Sequence, residues 1–232
     1  MKCGEFEKRN KEFLKSFDID TYFKSLVLRR SSDNNIVIFD VGAHKGESAI
    51  FFHNLFPNAK IFSFEPNTHA AKEISSLNLN NVAVFDIALS DSSGTKEFYV
   101  QDLSHLSSLN KVNSSSKASL GYAKRETHVV QLVTVKRGDE FCIEHDINHI
   151  DLLKIDVQAN EVHTLAGFKS IIPNIEVIFV EACFYDFYST RSSILKIEQL
   201  LPNFELYDIY EISKNPKTLG TDWATLVYAR KR

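Results

Sequence analysis

The segment Val37–Glu47 constrains the fold of this chain more than any other part of its sequence. A short apolar run ends in Asp40, and Gly42 and Gly46 then lead into an amphipathic stretch. This order predicts a buried parallel strand, a tight turn and the first turn of a helix. In α/β sheets such a turn is where a nucleotide-like ligand binds, at the carboxyl end of the strand.

The spacing of the two glycines limits which ligand can bind at this turn. A dinucleotide fingerprint, G-x-G-x-x-G, needs a bare second glycine so that the pyrophosphate can approach the backbone. His44 occupies that position, and its side chain would obstruct such an approach. The turn therefore favours a ligand without phosphates, of which S-adenosylmethionine is the common example.

Strand-like and helix-like segments alternate after this turn, which predicts right-handed crossovers and a doubly wound, mostly parallel α/β sheet. The predicted strands are 36–41, 60–65, 82–87, 150–156 and 176–181, and two final antiparallel strands are 204–211 and 223–229. The predicted helices are 46–55, 68–78, 137–145, 160–168 and 190–201.

The length of 232 residues suits one such domain, predicted over residues 36–232. The helical spacing of apolar residues within 5–30 predicts an N-terminal helical extension over residues 1–35. Gly94 is predicted to turn a hairpin from 88–90 into 95–100. The serine-rich stretch 102–128 is predicted to be a loop that covers the site, with an inert excursion as the alternative.

Composition narrows the partners and the location. A net charge of −3 argues against nucleic-acid binding through a strongly basic face. The first residues lack the apolar run that is typical of a signal peptide, and no stretch approaches the roughly 20 apolar residues that an integral membrane segment needs. Three scattered cysteines are too few for a disulfide framework or a zinc site. We therefore expect a cytoplasmic location.

Acids and apolar residues at predicted strand ends are candidate ligands of S-adenosylmethionine. Glu65 can accept hydrogen bonds from both ribose hydroxyls, and an acid at Asp40 suits a cationic ligand. Ile87 and Ala88 are placed to sandwich an adenine, with core packing as the alternative for Ile87, and Asp86 could bind the adenine amino group. The predicted cofactor contacts are Asp40, Gly42, Ala43, His44, Gly46, Glu47, Ser48, Glu65, Pro66, Asn67, Asp86, Ile87, Ala88 and Asp156.

Over roughly residues 36–182 the chain resembles the FkbM-type methyltransferases. The shared segments are Phe39–Ala43 with Gly46, Phe64–Asn67, Ala88–Asp91 and Asp151–Val157. The resemblance implies a Rossmann-like seven-stranded sheet and S-adenosylmethionine-dependent methylation of hydroxyls on sugars, glycans or related small molecules.

The family pattern continues as Asp-Val-Glu-Gly-x-Glu, and here the chain departs from it. Asp156 and Glu161 are kept, whereas Gln158 and Ala159 replace the first glutamate and the glycine. We therefore expect cofactor binding to be retained and the acceptor-binding part of the site to differ from that of the family. A non-catalytic S-adenosylmethionine-binding module and an N-methyltransferase remain alternatives to the O-methyltransferase.

Asp156 is the predicted catalytic base, because an acceptor hydroxyl must lose its proton during attack on a methyl group. Glu161 could share that role or hold the acceptor, or it could be an acid that the helix dipole favours. Asp156 and Glu181 could instead bind a divalent metal, although no local ligand cluster supports this. Alternative bases are His44 and His105, and candidate acceptor-pocket residues are Tyr185, Asp186 and Tyr188.

Overall fold

The computed structural model describes residues 19–31, 35–113, 128–184, 187–215 and 219–232. In chain order its strands are β1 (Val37–Val41), β2 (Lys60–Phe64), β3 (Val82–Phe85), β4 (Ala88–Ser90), β5 (Gly94–Gln101), β6 (His128–Arg137), β7 (Ile150–Ile155), β8 (Ile175–Cys183), β9 (Phe204–Lys214) and β10 (Thr221–Arg230). Its α-helices are α1 (Ile19–Leu28), α2 (Glu47–Leu55), α3 (Thr68–Ser76), α4 (Gly138–Glu144), α5 (Glu161–Gly167) and α6 (Ile194–Leu200). Short 3₁₀ turns occupy Ser104–Leu106 and Ile172–Asn174.

Seven of the described strands form the main sheet, in the order β3-β2-β1-β7-β8-β10-β9. The first five run parallel, and β10 is antiparallel to both of its neighbours. The chain reverses its direction of winding at β1, which lies between β2 and β7. A crevice for a ligand opens at the carboxyl ends of the strands at such a switch point. The predicted mostly parallel seven-stranded sheet is confirmed.

Apolar side chains cover both faces of this sheet. Phe141 of α4, Leu165 of α5 and Ile197 of α6 pack on one face. On the other face, Phe23 of α1 and Phe52 of α2 belong to a second cluster. The sheet is therefore doubly wound, as expected, and its central strands β1, β7 and β8 are buried on both sides because helices lie on both.

Helix α1 confirms part of the predicted N-terminal helical segment. Phe23 packs edge-on against Phe51 and Tyr210, and Val27 is fully buried. Residues 1–18 lie outside the described part of the chain. The division into an extension at 1–35 and a domain at 36–232 stays a prediction, although α1 shares its apolar cluster with the sheet.

A second, three-stranded sheet corrects one prediction. Its order is β4-β6-β5, so β6 lies between the two strands that were expected to form a hairpin. Val135 of β6 pairs with Ala88 on one side and Gly94 on the other. The predicted strand 82–87 correspondingly ends at Phe85. The hairpin was wrong because a strand distant in sequence supplies the hydrogen bonds.

Among the described helices, none has the length and apolar character needed to cross a bilayer. The cytoplasmic location expected from the sequence stays a prediction.

Candidate active site

A cavity of about 480 Å³ opens at the carboxyl ends of β1, β2, β7 and β8. Its size is in the range of small-molecule sites. Two groups of residues form distinct walls of this cavity. The glycine-loop wall is formed by Gly42, Ala43, His44, Glu65, Ile87 and Ala88, and the tryptophan wall by Glu181, Cys183, Glu211, Ser213, Trp223 and Thr225.

Most of the predicted site residues come together on this cavity. Those that line it are Gly42, Ala43, His44, Glu47, Ser48, Glu65, Pro66, Ile87, Ala88 and Asp156. Those that the structure does not bring to its surface are Asp40, Gly46, Asn67, Asp86 and Glu161.

The turn after β1 depends on glycine because the backbone approaches another strand end closely. Gly42 has a φ of 82°, and a Cβ there would lie 1.8 Å from the carbonyl oxygen of Asp156. The backbone N–H groups of Gly42 and Ala43 both donate to the carbonyl of Phe64. The turn therefore joins the ends of β1, β2 and β7, which places backbone atoms on the cavity surface.

Gly46 serves the other end of this turn. It adopts a φ of 94° at the N-cap of α2, and a Cβ there would lie 2.9 Å from Cδ1 of Leu77. It therefore supports the turn from behind and is not placed for the predicted cofactor contact.

Asp40 is fully buried beneath the turn. Its Oδ1 lies 3.1 Å from Nζ of Lys154, and its Oδ2 accepts a hydrogen bond from the Ser48 hydroxyl at 2.7 Å. Lys154 also donates to the carbonyl oxygen of Gly42. Burial opposes the charge on Lys154, but Asp40, together with Asp156 and Glu181, outweighs the burial and raises the pKa of Lys154. Asp40 thus forms a buried ion pair with Lys154 and does not line the cavity, and its predicted contact with the cofactor stays a prediction. Sequence reasoning did not identify Lys154.

Glu65 lies where the second parallel strand ends and lines the cavity. Its Oε2 accepts the backbone N–H of His44 at 2.9 Å, and its Oε1 accepts that of Asn67 at 2.8 Å. Burial raises the pKa of Glu65 to about 7, although these two donors act in the opposite direction. Each carboxylate oxygen can accept further hydrogen bonds, so Glu65 both holds the turn and presents an acceptor to the cavity.

Two of the predicted cofactor contacts, Asn67 and Asp86, lie away from the cavity surface. Asn67 is the N-cap of α3, where its side-chain oxygen accepts the N–H groups of His69 and Ala70. Asp86 is exposed, and its Oδ1 lies 3.4 Å from the Thr68 hydroxyl. Ile87 and Ala88 do line the cavity.

Three carboxylates meet at the carboxyl ends of β7 and β8. Asp156, Glu161 and Glu181 each place an oxygen within 4.8 Å of the others, so the cluster has the composition of a divalent-cation site. Burial raises the pKa of Glu161 to about 7, and burial together with the charge of Asp156 raises the pKa of Glu181 well above its usual value. Crowded carboxylates of this kind retain protons because like charges repel.

Within this cluster, Asp156 and Glu161 are placed differently. Asp156 lines the cavity. Glu161 is fully buried, and its Oε1 accepts the backbone N–H groups of Val157 and Ala159. Glu161 thus does not line the cavity and holds the loop that follows Asp156, and its predicted role toward the acceptor stays a prediction.

The two residues that depart from the family pattern form this loop. Gln158 and Ala159 both have left-handed backbone, with φ of 55° and 71°. Gln158 donates from Nε2 to Oδ1 of Asp156 at 2.8 Å, and its Oε1 lies 3.0 Å from the Tyr188 hydroxyl. Two consecutive non-glycine residues in this region store strain, which is characteristic of functional sites. Gln158, which stands where the family pattern has a glutamate, therefore holds the carboxylate of Asp156 in one orientation.

The described part of the predicted covering loop, residues 102–113, borders the cavity. Ser104 contacts Nε2 of His44 at 2.8 Å, and the Ser108 hydroxyl donates to the carbonyl of Gln158. Leu106 and His105 also line the cavity, and the carbonyl of Leu106 lies 2.9 Å from the Tyr188 hydroxyl. This arrangement favours a covering role over an inert excursion. Residues 114–127 lie outside the described part of the chain.

Of the predicted acceptor-pocket residues, Tyr188 lines the cavity, whereas Tyr185 and Asp186 lie outside the described residues. Sequence reasoning missed Trp223, Thr225, Glu211 and Ser213, all on the final two strands. The sequence does show that Glu211 and Ser213, and likewise Trp223 and Thr225, are two residues apart. Residues two apart on a strand share a face of the sheet.

Comparison with known proteins agrees with this geometry. The chain matches the methyltransferase FkbM domain over residues 40–208. It is 30% identical over 189 residues to the 2-O-methyltransferase NoeI of Sinorhizobium fredii (strain NBRC 101917 / NGR234), an alignment that covers 73% of this chain and 72% of NoeI.

Two solved structures share the fold. The methyltransferase FkbM from Methylobacillus flagellatus KT has a TM-score of 0.50 at 15% identity, covering 89% of this chain but 47% of its own. A putative rRNA methylase from Clostridium thermocellum has a TM-score of 0.50 at 10% identity, covering 92% and 93%.

The sheet order and the cavity at its switch point place the protein in the class of Rossmann-like α/β folds, which the FkbM structure shares. Within that class, the chain belongs to the methyltransferase FkbM domain family, which confirms the resemblance found in the sequence.

Proposed function

We propose that this protein is an S-adenosylmethionine-dependent O-methyltransferase whose acceptor is a hydroxyl of a sugar, a glycan or a related small molecule. The observation that carries the proposal is the position of Asp156. It lines the cavity, at the carboxyl end of a central parallel strand and beside the glycine turn. The name of NoeI, a 2-O-methyltransferase, supports oxygen as the atom that is methylated.

The residues of the glycine-loop wall fit this cofactor. Gly42 leaves backbone exposed at a point where a Cβ could not be accommodated, and Glu65 offers carboxylate lone pairs to ribose hydroxyls. Ile87 and Ala88 offer apolar contacts to an adenine ring. S-adenosylmethionine supplies an electrophilic methyl group when it is bound.

Asp156 then acts on the acceptor. Its carboxylate accepts the proton that the hydroxyl loses as its oxygen attacks, a contribution of about 10²–10⁴-fold to the rate. Gln158 donates to Oδ1 of Asp156 and so fixes its orientation. Glu161 fixes the loop itself through two backbone hydrogen bonds. Alignment of the reacting atoms in the cavity supplies the remaining acceleration.

A non-catalytic binding module is the alternative from a different class. The sequence feature that supports this alternative is the replacement of the family's glutamate and glycine by Gln158 and Ala159. Since Gln158 contacts Asp156 directly, this departure keeps the proposed base in place and favours the enzyme. An acceptor amine rather than a hydroxyl is a second alternative, as the same carboxylate could remove a proton from nitrogen. A net charge of −3 leads us to propose that the acceptor is not a nucleic acid.

Two measurements test the proposal. Isothermal titration with S-adenosylmethionine should show saturable binding, and labelled methyl transfer to a panel of glycosides should yield an O-methyl product. Binding without transfer to any glycoside, alcohol or amine would establish the binding module. Transfer to amines alone would establish the N-methyltransferase, and the absence of binding would contradict the cofactor assignment.

A further inference from the structure

The tryptophan wall is a regular patch of six side chains on one face of three strands. Residues two apart on a strand share a face. Strand pairing aligns Cys183, Trp223 and Ser213 in one row, since Trp223 pairs with both of the others. The same pairing aligns Glu181, Thr225 and Glu211 in a second row. All six line the cavity.

We propose that this patch binds a sugar ring of the acceptor, with Trp223 as the platform beneath the ring; the proposal rests on the function proposed above. Strands lie about 4.8 Å apart and residues two apart are about 6.7 Å apart. The two rows therefore cover about 10 by 7 Å, which is the area of one pyranose ring with its hydroxyls.

Trp223 has the free surface that such a platform needs. It is partly exposed on the cavity wall. Within the described residues, no other ring contacts it and its indole N–H has no hydrogen-bond acceptor. An aromatic face is electron-rich and attracts polarised C–H groups, and a pyranose presents several such groups on one face. The indole N–H remains as a donor to a ring or hydroxyl oxygen.

The second row supplies the polar partners. The Glu211 carboxylate can accept hydrogen bonds from sugar hydroxyls, and the Glu181 carboxyl group, which holds a proton, can both donate and accept, as can Thr225. A flat phenolic acceptor would also stack on Trp223, but it would leave most of these groups without partners. A ring with several hydroxyls uses both rows, and this chemistry favours a sugar.

The patch also lies beside the proposed base. Glu181 belongs both to the second row and to the acid cluster, where its carboxylate lies within 4.8 Å of that of Asp156. A sugar held over Trp223 and bounded by Glu181 therefore presents a hydroxyl toward Asp156. The proposed specificity is for a cyclic polyol, and an acyclic polyol with the same hydroxyls would lack the face that packs on the indole.

Fluorescence tests binding directly, because Trp223 is the single tryptophan of the chain. The 232-residue protein is saturated with S-adenosylhomocysteine and titrated with methyl glycosides of common hexoses and deoxyhexoses, with sorbitol as the acyclic control. We expect a saturable change in emission with at least one glycoside and none with sorbitol. An equal response to sorbitol, a response to catechol alone, or no response to any glycoside would overturn the proposal.

Kinetics of three variants tests the role of the ring. With a glycoside that accepts methyl groups, Trp223→Ala should raise the acceptor KM about tenfold or more, and Trp223→Phe, which keeps an aromatic face, by less than about threefold. Tyr207→Ala is the matched control, because Tyr207 is an exposed aromatic on β9 that does not line the cavity. Affinity for S-adenosylmethionine should stay unchanged in all three, which also shows that each is folded.

The outcomes separate this proposal from the proposed function. Methyl transfer to a glycoside with an unchanged KM in Trp223→Ala would overturn the sugar platform and leave the O-methyltransferase standing. Saturable binding of glycosides without transfer to any of them would support the platform and contradict the proposed function.

Discussion

The two walls of the cavity are built in different ways. The glycine-loop wall depends on backbone: Gly42 approaches Asp156 too closely for any side chain, and Glu65 holds the turn through backbone N–H groups. The tryptophan wall depends on side chains that alternate along β8, β10 and β9. Trp223 and Thr225 are in regular register with both neighbouring strands, although the pairing of β10 with β9 is irregular just before Trp223 and just after Thr225. Substitution should therefore damage the first wall through the fold and the second through recognition alone.

The largest effect is expected for Gly42→Ala. Its positive φ and the overlap with the Asp156 carbonyl should lower the free energy of unfolding by about 3 kcal/mol or more. Gly94→Ala is the matched control, as Gly94 also has a positive φ, of 140°, but has no atom within 4 Å of the added Cβ. It should cost about 1–2 kcal/mol. Urea unfolding measures both, and equal costs would show that the close approach is not essential.

Stability should fall with rising pH because two buried acids hold their protons in the folded state. The pKa values of Glu65 and Glu161 are raised to about 7, from an ordinary 4.5. The stability that each contributes is complete below about pH 4.5 and is lost as pH rises to about 7, by up to about 3 kcal/mol per group. Urea unfolding at pH 5, 6 and 7.5 should show this decrease, and Glu161→Gln should reduce it.

The ionisation of Glu65 should also make the affinity for S-adenosylmethionine depend on pH, and this dependence distinguishes the two walls. Ribose hydroxyls that donate to Glu65 would favour its charged form, so S-adenosylmethionine should bind more tightly as Glu65 ionises. Glu65→Gln should remove that dependence, whereas Trp223→Phe should retain it. An identical pH dependence of affinity in wild type and Glu65→Gln would argue against contact between Glu65 and the cofactor.

Glu65→Ala should weaken binding of S-adenosylmethionine by about 1.5–3 kcal/mol, the value of hydrogen bonds to a charged group. The acceptor KM should change by less than about twofold, because Glu65 follows β2 and Trp223 lies on β10, and three strands of the sheet lie between these two. Calorimetry and initial rates measure the two quantities. Trp223→Ala should instead raise the acceptor KM and leave the affinity for S-adenosylmethionine unchanged. If Glu65→Ala raised the acceptor KM and kept normal cofactor affinity, the assignment of the two walls would be reversed.

The smallest effect is expected from metal removal. We expect protons on Glu161 and Glu181 to balance the charge of the carboxylate cluster, with raised pKa values as the physical sign. Treatment with EDTA should therefore change the methyl-transfer rate by less than about twofold. Loss of activity that Mg²⁺ restores would instead show that Asp156, Glu161 and Glu181 hold a cation.

The sequence predicted most residues of the glycine-loop wall and missed most of those on the tryptophan wall. Gly42, Glu65 and Asp156 each end or follow a parallel strand, so one apolar run and the next residue were enough to predict their place at one edge of the sheet. Trp223 and Glu211 were missed because their proximity depends on the register of β9 and β10, which no local pattern specifies.

Long-range pairing also explains the errors elsewhere. Gly94 has the local signature of a hairpin turn, yet β6 separates β4 from β5. Asp40 and Glu161 were predicted to touch ligands because they are acids near strand ends, and these contacts stay predictions although neither residue lines the cavity. The partners that turn them inward, Lys154 for Asp40 and the backbone of Val157 and Ala159 for Glu161, become apparent only in the folded chain.

The central claim is that Asp156, between the two walls, takes the proton from an acceptor hydroxyl. The most direct test is single-turnover methyl transfer by Asp156→Asn, alongside its affinity for S-adenosylmethionine. We predict that transfer slows by about 10²–10⁴-fold while the affinity stays within about threefold of wild type. Transfer at the wild-type rate would contradict the assignment of Asp156 as the base.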